Sequence, residues 1–202
     1  MTQVVLASNN AKKLAELQRI LAPLVPDVQV LGLKDVAEYD EPAETEPTFQ
    51  GNALIKARAC LAATSLPSLA DDSGLCVDAL NGMPGVLSAR WSGVTGAEAD
   101  SANNALLLSQ LSQVPDERRG ARFRCAMALC TPDGEEIIEH GEMPGRVLHA
   151  ERGAGGFGYD PLFAADGHEV SSAELTPEEK DRISHRGEAL RRIAPRVAAA
   201  LT

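Results

Sequence analysis

Asp71 and Asp72 stand side by side ahead of Ser73-Gly74, directly after the apolar pair Leu69-Ala70. Adjacent carboxylates where a short strand runs into a turn suit Mg²⁺, which takes hard oxygen ligands and keeps several of its waters. One Asp of such a pair can also accept the proton of an attacking water. An Asx-turn ahead of Ser-Gly accounts for the same residues without any chemistry. Glu44 lies in an irregular acidic stretch, residues 34–47, and reads either as a further oxygen ligand or as a solvated charge.

Three other segments carry groups able to hold a ligand. Ser8-Asn9-Asn10 follow an apolar run and precede Lys12 and Lys13. Strand, polar loop, then helix is an anion-binding layout, because unpaired amides and the helix dipole both favour negative charge at a helix start. The alternative is a capped surface helix with solvated lysines. The P-loop pattern GxxxxGK[ST] is absent, and no GxGxxG follows the first strand. Gly155-Gly156-Phe157-Gly158-Tyr159-Asp160-Pro161 joins a permissive backbone to two of the chain's few aromatics. Phe157 or Tyr159 can stack on a base there, or Phe157 can fill the core beside a tight turn. Ser184-His185-Arg186-Gly187 opens another helix, with ligand-reading side chains or with Ser184 as a plain N-cap. His140, His149 and His168 show no ligand spacing and read as surface or turn residues.

The elements that must position these groups follow from periodicity. Met1 to Ser8 reads as a buried strand, and Leu14, Leu17, Ile20, Leu21 and Leu24 mark one face of a helix that Pro23 and Pro26 close. A strand over Val28–Leu33 follows. Thr48 is placed to cap a helix carrying Phe49, Asn52, Lys56 and an Ala-rich back to about Ser65, with Asn52 and Lys56 on one face. Leu69–Asp72 is expected to be a short strand that turns, with Leu75–Val77 resuming it. A helix is expected over Ala97–Leu111, then a hairpin of Arg122–Cys130 and Glu135–His140 across Thr131–Gly134. A separate strand near Arg146–His149, a short helix from Pro177 and a final helix from Ser184 complete the pattern. Pro195 should kink or interrupt the last helix. Without repeats or linkers, one continuous α/β unit is expected.

Composition narrows the functions available. The 202 residues are 44% hydrophobic and 24% charged, which suits a folded globular chain. With 3% aromatics and a formal charge of −10, neither an aromatic stacking platform nor an electrostatic grip on DNA or RNA is expected. No early apolar run approaches the length of a signal-peptide core or a membrane span. Cys60, Cys76, Cys125 and Cys130 form no CxxC pair, and buried reduced thiols in the cytoplasm are expected. If Cys125 and Cys130 share a strand, their odd spacing sends them to opposite faces.

Taken in order, these segments resemble the inosine/xanthosine triphosphate pyrophosphatase family. The matching stretches are Val4–Asn10 with Lys13, Glu44–Phe49 with Asn52-Ala53 and Lys56-Ala57, Ala70–Leu75, Pro84-Gly85 with Ser88-Ala89-Arg90, Gly156–Pro161, and Ala173–Leu175 through Glu179-Lys180 to Ser184–Gly187. The resemblance implies an elongated α/β fold of two lobes around a long mixed twisted sheet flanked by helices, with a nucleotide cleft between the lobes. It also implies one catalytic domain over residues 1–202, a homodimer and a Mg²⁺ requirement. The implied reaction converts ITP, dITP or XTP to the monophosphate and pyrophosphate. Its triphosphate segment falls on Ser8, Asn9, Asn10, Ala11, Lys12 and Lys13, with Lys56 assisting. Its metal-binding proton acceptor falls on Asp72, with Asp71 and Glu44 as further ligands, and a substrate contact falls on Ser73. Its base-binding group falls on Phe157, Gly158, Tyr159, Asp160, Lys180, His185 and Arg186, the last two being expected to donate to the 6-oxo group. A pyrophosphatase for other bases, such as modified pyrimidines or dUTP, and a non-catalytic nucleotide sensor are the other readings. A Nudix box, Gly-x5-Glu-x7-Arg-Glu, is absent.

Overall fold

The computed structural model describes residues 2–201, apart from the side chain of Lys12. Its strands are β1 (Thr2–Leu6), β2 (Val28–Leu31), β3 (Ser68–Val77), β4 (Gly120–Cys130), β5 (Glu136–Val147) and β6 (Phe163–Ala165). Its helices are α1 (Ala11–Leu21), α2 (Phe49–Thr64), α3 (Ala99–Gln110), α4 (Pro177–Ile183) and α5 (His185–Ala200). The strands form one six-stranded sheet in the order β2-β1-β3-β4-β5-β6. It is mixed: β1 runs parallel to β2 and β3, whereas β5 and β6 are antiparallel. The α/β class and the mixed sheet agree with expectation. No helix among the described residues is long and apolar enough to cross a membrane.

The chain divides into two compact units. One holds the chain up to Asp72, Cys125–His140 and everything from Arg186 onward; the other holds Ser73–Arg124 and Gly141–His185. In the first unit, strand alternation sorts the core. Cys125, Met127 and Leu129 of β4 and Leu69 of β3 pack with Leu17 and Leu21 of α1 and Leu190 and Ile193 of α5. Ala126, Ala128 and Cys130, with Ala70, pack instead against Ala53 and Ala57 of α2. The period of two in β4 thus sends Cys125 and Cys130 to opposite faces, as their spacing predicts. All four cysteines are buried and free of disulfides, and burial pushes the Cys130 thiol up to about 11. Cys130 is thus a packing group at neutral pH. The small alanines matter for the site, since they let α2 lie close to β3. In the second unit, Leu107 and Leu111 of α3 join Leu75, Val77, Phe123, Met143, Tyr159, Leu162 and Phe163 in a separate core.

Four expectations are corrected. Leu69–Val77 contains no turn: β3 runs unbroken through Asp71-Asp72-Ser73-Gly74. Arg146 does not begin a new strand, because β5 extends through Pro144 to Val147. Pro144 is tolerated there because the ladder at this point uses its carbonyl, which accepts from Asp166 N. Leu24 lies beyond α1 and is exposed, since the helix ends at Leu21 before Pro23. Of the two outcomes expected at Pro195, interruption does not occur, because α5 continues to Ala200.

Candidate active site

Because β3 is a continuous strand, its successive side chains point to opposite faces. Asp71 shares a face with Leu69, where α1 and α5 pack, and Asp72 shares one with Ala70, where α2 packs. The two adjacent carboxylates therefore meet different partners.

Asp71 is held by two cations. Lys13 Nζ donates to both its oxygens at 2.9 Å, and Arg186 Nε donates to Oδ2 at 3.1 Å. Burial by itself would raise the Asp71 pKa, but Arg186, Lys13 and Lys56 together outweigh it and hold the carboxyl well below the usual range. Burial likewise disfavours the Arg186 charge, and Asp71 reverses that effect. Lys13 gets there from the first turn of α1, where Asn10 Oδ1 accepts from Lys13 N at 3.4 Å as a capping residue does. The helix start is thus capped, as one reading held, but Lys13 is turned inward to Asp71 and is not a solvated lysine.

Asp72 is held by a neutral amide. Asn52 Nδ2 donates to its Oδ2 at 3.0 Å, and the Lys56 ammonium lies 3.9 Å from Oδ1. Lys56 Nζ also donates to Glu44 Oε1 at 2.7 Å, so one ammonium stands between two carboxylates. Asn52 does more than touch Asp72. Its Oδ1 accepts from Glu46 N at 2.9 Å, tying the acidic segment that carries Glu44 to α2. The cap expected at Thr48 is present, its hydroxyl accepting from Gly51 N. Glu44 is thus no free surface charge; it is gathered with Asp72 through Lys56. Asp71 stands on the other face of the strand, with Lys13 and Arg186 as its partners. Among the described residues, no cluster of three or more His, Cys, Asp or Glu side chains is placed to hold a metal ion. Two carboxylate oxygen donors do suit Mg²⁺, which completes its shell with water and substrate oxygens.

The second unit carries the aromatic loop. Phe157 is 58% exposed, so it does not fill the core. Its N–H donates to Asp160 Oδ2, and the Lys180 ammonium, ion-paired with Asp160, lies 5.3 Å from the centre of its ring. Gly156 adopts a φ of +75°, and a Cβ there would overlap the Asp160 carboxylate, so only glycine fits. Tyr159 is buried and donates its hydroxyl to Ser88 O at 2.9 Å. Burial, then the charge of Asp100, raises its pKa and keeps the phenol protonated for that bond. Gly158 N donates to Asp100 Oδ2 at 2.8 Å, and Asn104 Nδ2 donates to Gly158 O at 3.1 Å. His185 stacks on Phe123, its ring centre 5.0 Å away. Although His185 and Arg186 are neighbours in sequence, they divide between the two units, and Arg186 serves Asp71.

Of the remaining candidates, Ser8 is half-buried, with its hydroxyl accepting from Asn10 N; Asn9, Asn10 and Ala11 are exposed at the start of α1; and Ser73 is half-buried in β3. The Lys12 side chain lies outside the described residues. Sequence reasoning placed Asn52 on the right helix face but missed its bond to Asp72, and it missed Asp100, Asn103 and Asn104 altogether. A signal was available: asparagine is a poor helix-interior residue, so Asn in an Ala-rich or Leu-rich helix marks a position kept for its side-chain bonds.

Residues 4–196 match the sequence profile of the Ham1 family. A Nocardia farcinica protein named dITP/XTP pyrophosphatase is 62% identical over 98% of this chain and 96% of its own length. One of that name from Frankia alni is 58% identical over 99% of each chain. Among solved structures, the nucleoside-triphosphatase / dITP/XTP pyrophosphatase of Mycobacterium abscessus shares 55% identity at a TM-score of 0.80, covering 96% of this chain and 99% of that one. The HAM1 protein of Coxiella burnetii gives a TM-score of 0.87 at 39% identity, covering 99% of this chain and 100% of that one.

Proposed function

The chain belongs to the Ham1 family, and we propose that it hydrolyses the deaminated purine nucleoside triphosphates ITP, dITP and XTP to the monophosphate and pyrophosphate with Mg²⁺. The observation that carries the reading is an inversion of charge across β3. On one face a carboxylate, Asp71, stands between two cations; on the other an ammonium, Lys56, stands between two carboxylates. The first arrangement keeps surplus positive charge, which suits a polyphosphate. The second keeps surplus negative charge, which suits a divalent cation.

Glu44 and Asp72 are the residues that would hold the metal. When bound, Mg²⁺ neutralises phosphoryl oxygens and lowers the pKa of a coordinated water. Asp72 orients the attacking water and takes its proton, with Asn52 fixing the carboxylate plane. Asp71 serves as an anchor that holds Lys13 and Arg186 in place. Lys13 and Lys56, with the amides at the start of α1, stabilise the charge that grows on departing pyrophosphate. Ser8–Lys13 form the triphosphate-binding segment, and Ser73 adds a substrate contact.

Base recognition falls to Phe157 as the stacking surface and to the group Gly158, Tyr159, Asp160, Lys180 and His185. A donor from the His185-Arg186 segment, such as the His185 ring N–H, meets the 6-oxo acceptor of hypoxanthine or xanthine, whereas the 6-amino group of adenine leaves that donor unpaired. Sites of this kind discriminate by roughly 10⁴-fold. Removal of these triphosphates cleanses the nucleotide pool. We assign the enzyme to the cytoplasm, which the buried free thiols suit, as a homodimer with residues 1–202 acting as one catalytic domain.

The test is pyrophosphate release from dITP, XTP, ATP, GTP and dUTP, with Mg²⁺ and with chelator. Turnover of dITP and XTP far above ATP and dUTP, lost with chelator, is expected. ATP or dUTP cleaved as fast as dITP would refute the substrate assignment.

A further inference from the structure

The loop assigned to base binding presents Phe157 with little packing around it, at 58% exposure. Besides the Lys180 ammonium over its face, such a ring is placed by the backbone on either side of it. On its C-terminal side the backbone is Gly158, a residue with φ of +60° and no side chain of its own to anchor it. Both polar groups of Gly158 are nevertheless bonded, and both partners come from α3. Asp100 accepts the Gly158 N–H, and Asn104, one helical turn further on, donates to the Gly158 carbonyl. The same helix braces the strip that receives Tyr159. Asn103 donates to Ser88 O and Ala89 O and accepts from Ser92 N, while Tyr159 donates to that same Ser88 O.

Asn104 is 3% exposed, and its Oδ1 is buried without a partner among the described residues. An acceptor left in that state costs stability, so packing alone does not account for an Asn here. What the residue supplies is the donor to Gly158.

We propose that Asp100 and Asn104 are positioning residues which clamp both ends of Gly158 and thereby set the place of the Phe157 ring against the purine. The role rests on the base-binding reading of the loop given above. It predicts a separation of kinetic constants, because the groups assigned to bond cleavage lie on α1, α2, β3 and the segment that carries Glu44, whereas the clamp lies on α3. A looser loop weakens capture of the base and leaves the chemical step alone.

The experiment compares Asp100→Ala with Asp100→Asn, whose amide oxygen still accepts the Gly158 N–H. Asp100 is exposed, so both variants keep the core. For Asp100→Ala, KM for dITP should rise about tenfold, the worth of one charge-assisted bond, with kcat within about twofold of wild type. Asp100→Asn should restore most of the loss. Hydrogen exchange of the Gly158 amide in nucleotide-free protein should quicken in Asp100→Ala and slow again in Asp100→Asn. A second variant, Asn104→Asp, places a carboxylate against the Gly158 carbonyl and should raise KM in the same way. Wild-type KM in Asp100→Ala, an equal loss of kcat with KM unchanged, or unaltered Gly158 exchange overturns the clamp. Failure of the base-binding reading shows separately, in a wild-type enzyme whose KM does not distinguish dITP from ATP.

Discussion

Around Asp71 and Asp72 the side chains hold one another, whereas around Phe157 they hold the backbone. In the first region every distance that matters is a charge or amide contact on a carboxylate: Lys13 and Arg186 on Asp71, Asn52 and Lys56 on Asp72, Lys56 on Glu44. The carboxylates of β3 are buried, so each ion needs its counter-ion to remain charged at all. In the second region, Asp160, Asp100 and Asn104 bond the main chain at Phe157 and Gly158, and the ring itself is more than half exposed. Handling phosphate and metal takes fixed charges. Reading a base takes a fixed surface whose outer face is left open.

Removing a charge from the first region should cost more than removing a ring from the second. The largest effect is expected for Asp72→Asn. The variant keeps an acceptor for Asn52 and so keeps the fold, while turnover of dITP falls by about 10² to 10⁴, the usual worth of a proton acceptor. Circular dichroism together with pyrophosphate release checks both halves. Near-normal rates would remove Asp72 from the role.

Asp71→Asn should act on stability. It leaves Lys13 and Arg186 facing each other over a neutral group, at a cost of roughly 3–5 kcal/mol by denaturant titration. Its pH dependence has a definite sign. The Asp71 pKa is depressed by folding, so its contribution is fully present above the ordinary carboxylate pKa and is lost as pH falls through the lower folded value. The stability gap between wild type and variant should therefore hold through neutral pH and narrow only below about pH 4. A gap that closed between pH 6 and 8 would point to another group.

Phe157→Ala is the mildest. An exposed ring can be removed without unfolding, and KM for dITP should rise by the worth of one stacked base, about 1–3 kcal/mol. Similar losses for dITP and XTP would mark stacking; a loss confined to one of them would mark base-edge recognition.

Much of this was legible beforehand. The apolar periods gave α1, α2 and α3 near their final bounds, and Thr48 announced the cap of α2. The odd spacing of Cys125 and Cys130 foretold their opposite faces. The segment around Asp71 was misread because Asp, Ser and Gly are turn residues by local preference. Pairing of β3 between β1 and β4 overrode that preference. The difference has a chemical consequence, since on a strand the two neighbouring carboxylates face opposite sides and meet different partners.

The sequence by itself determined which residues were available: carboxylates at 44, 71 and 72, ammonium groups at 13, 56 and 180, a glycine-rich loop around an aromatic ring. Those follow from chemical type and local spacing. The tertiary structure alone decided the pairings, which bring Arg186 to Asp71, Asn52 to Asp72 and α3 to Gly158 across long stretches of chain. Burial is the reason. A carboxylate removed from water must find its partner wherever packing brings one, and the order of residues along the chain does not specify which that will be.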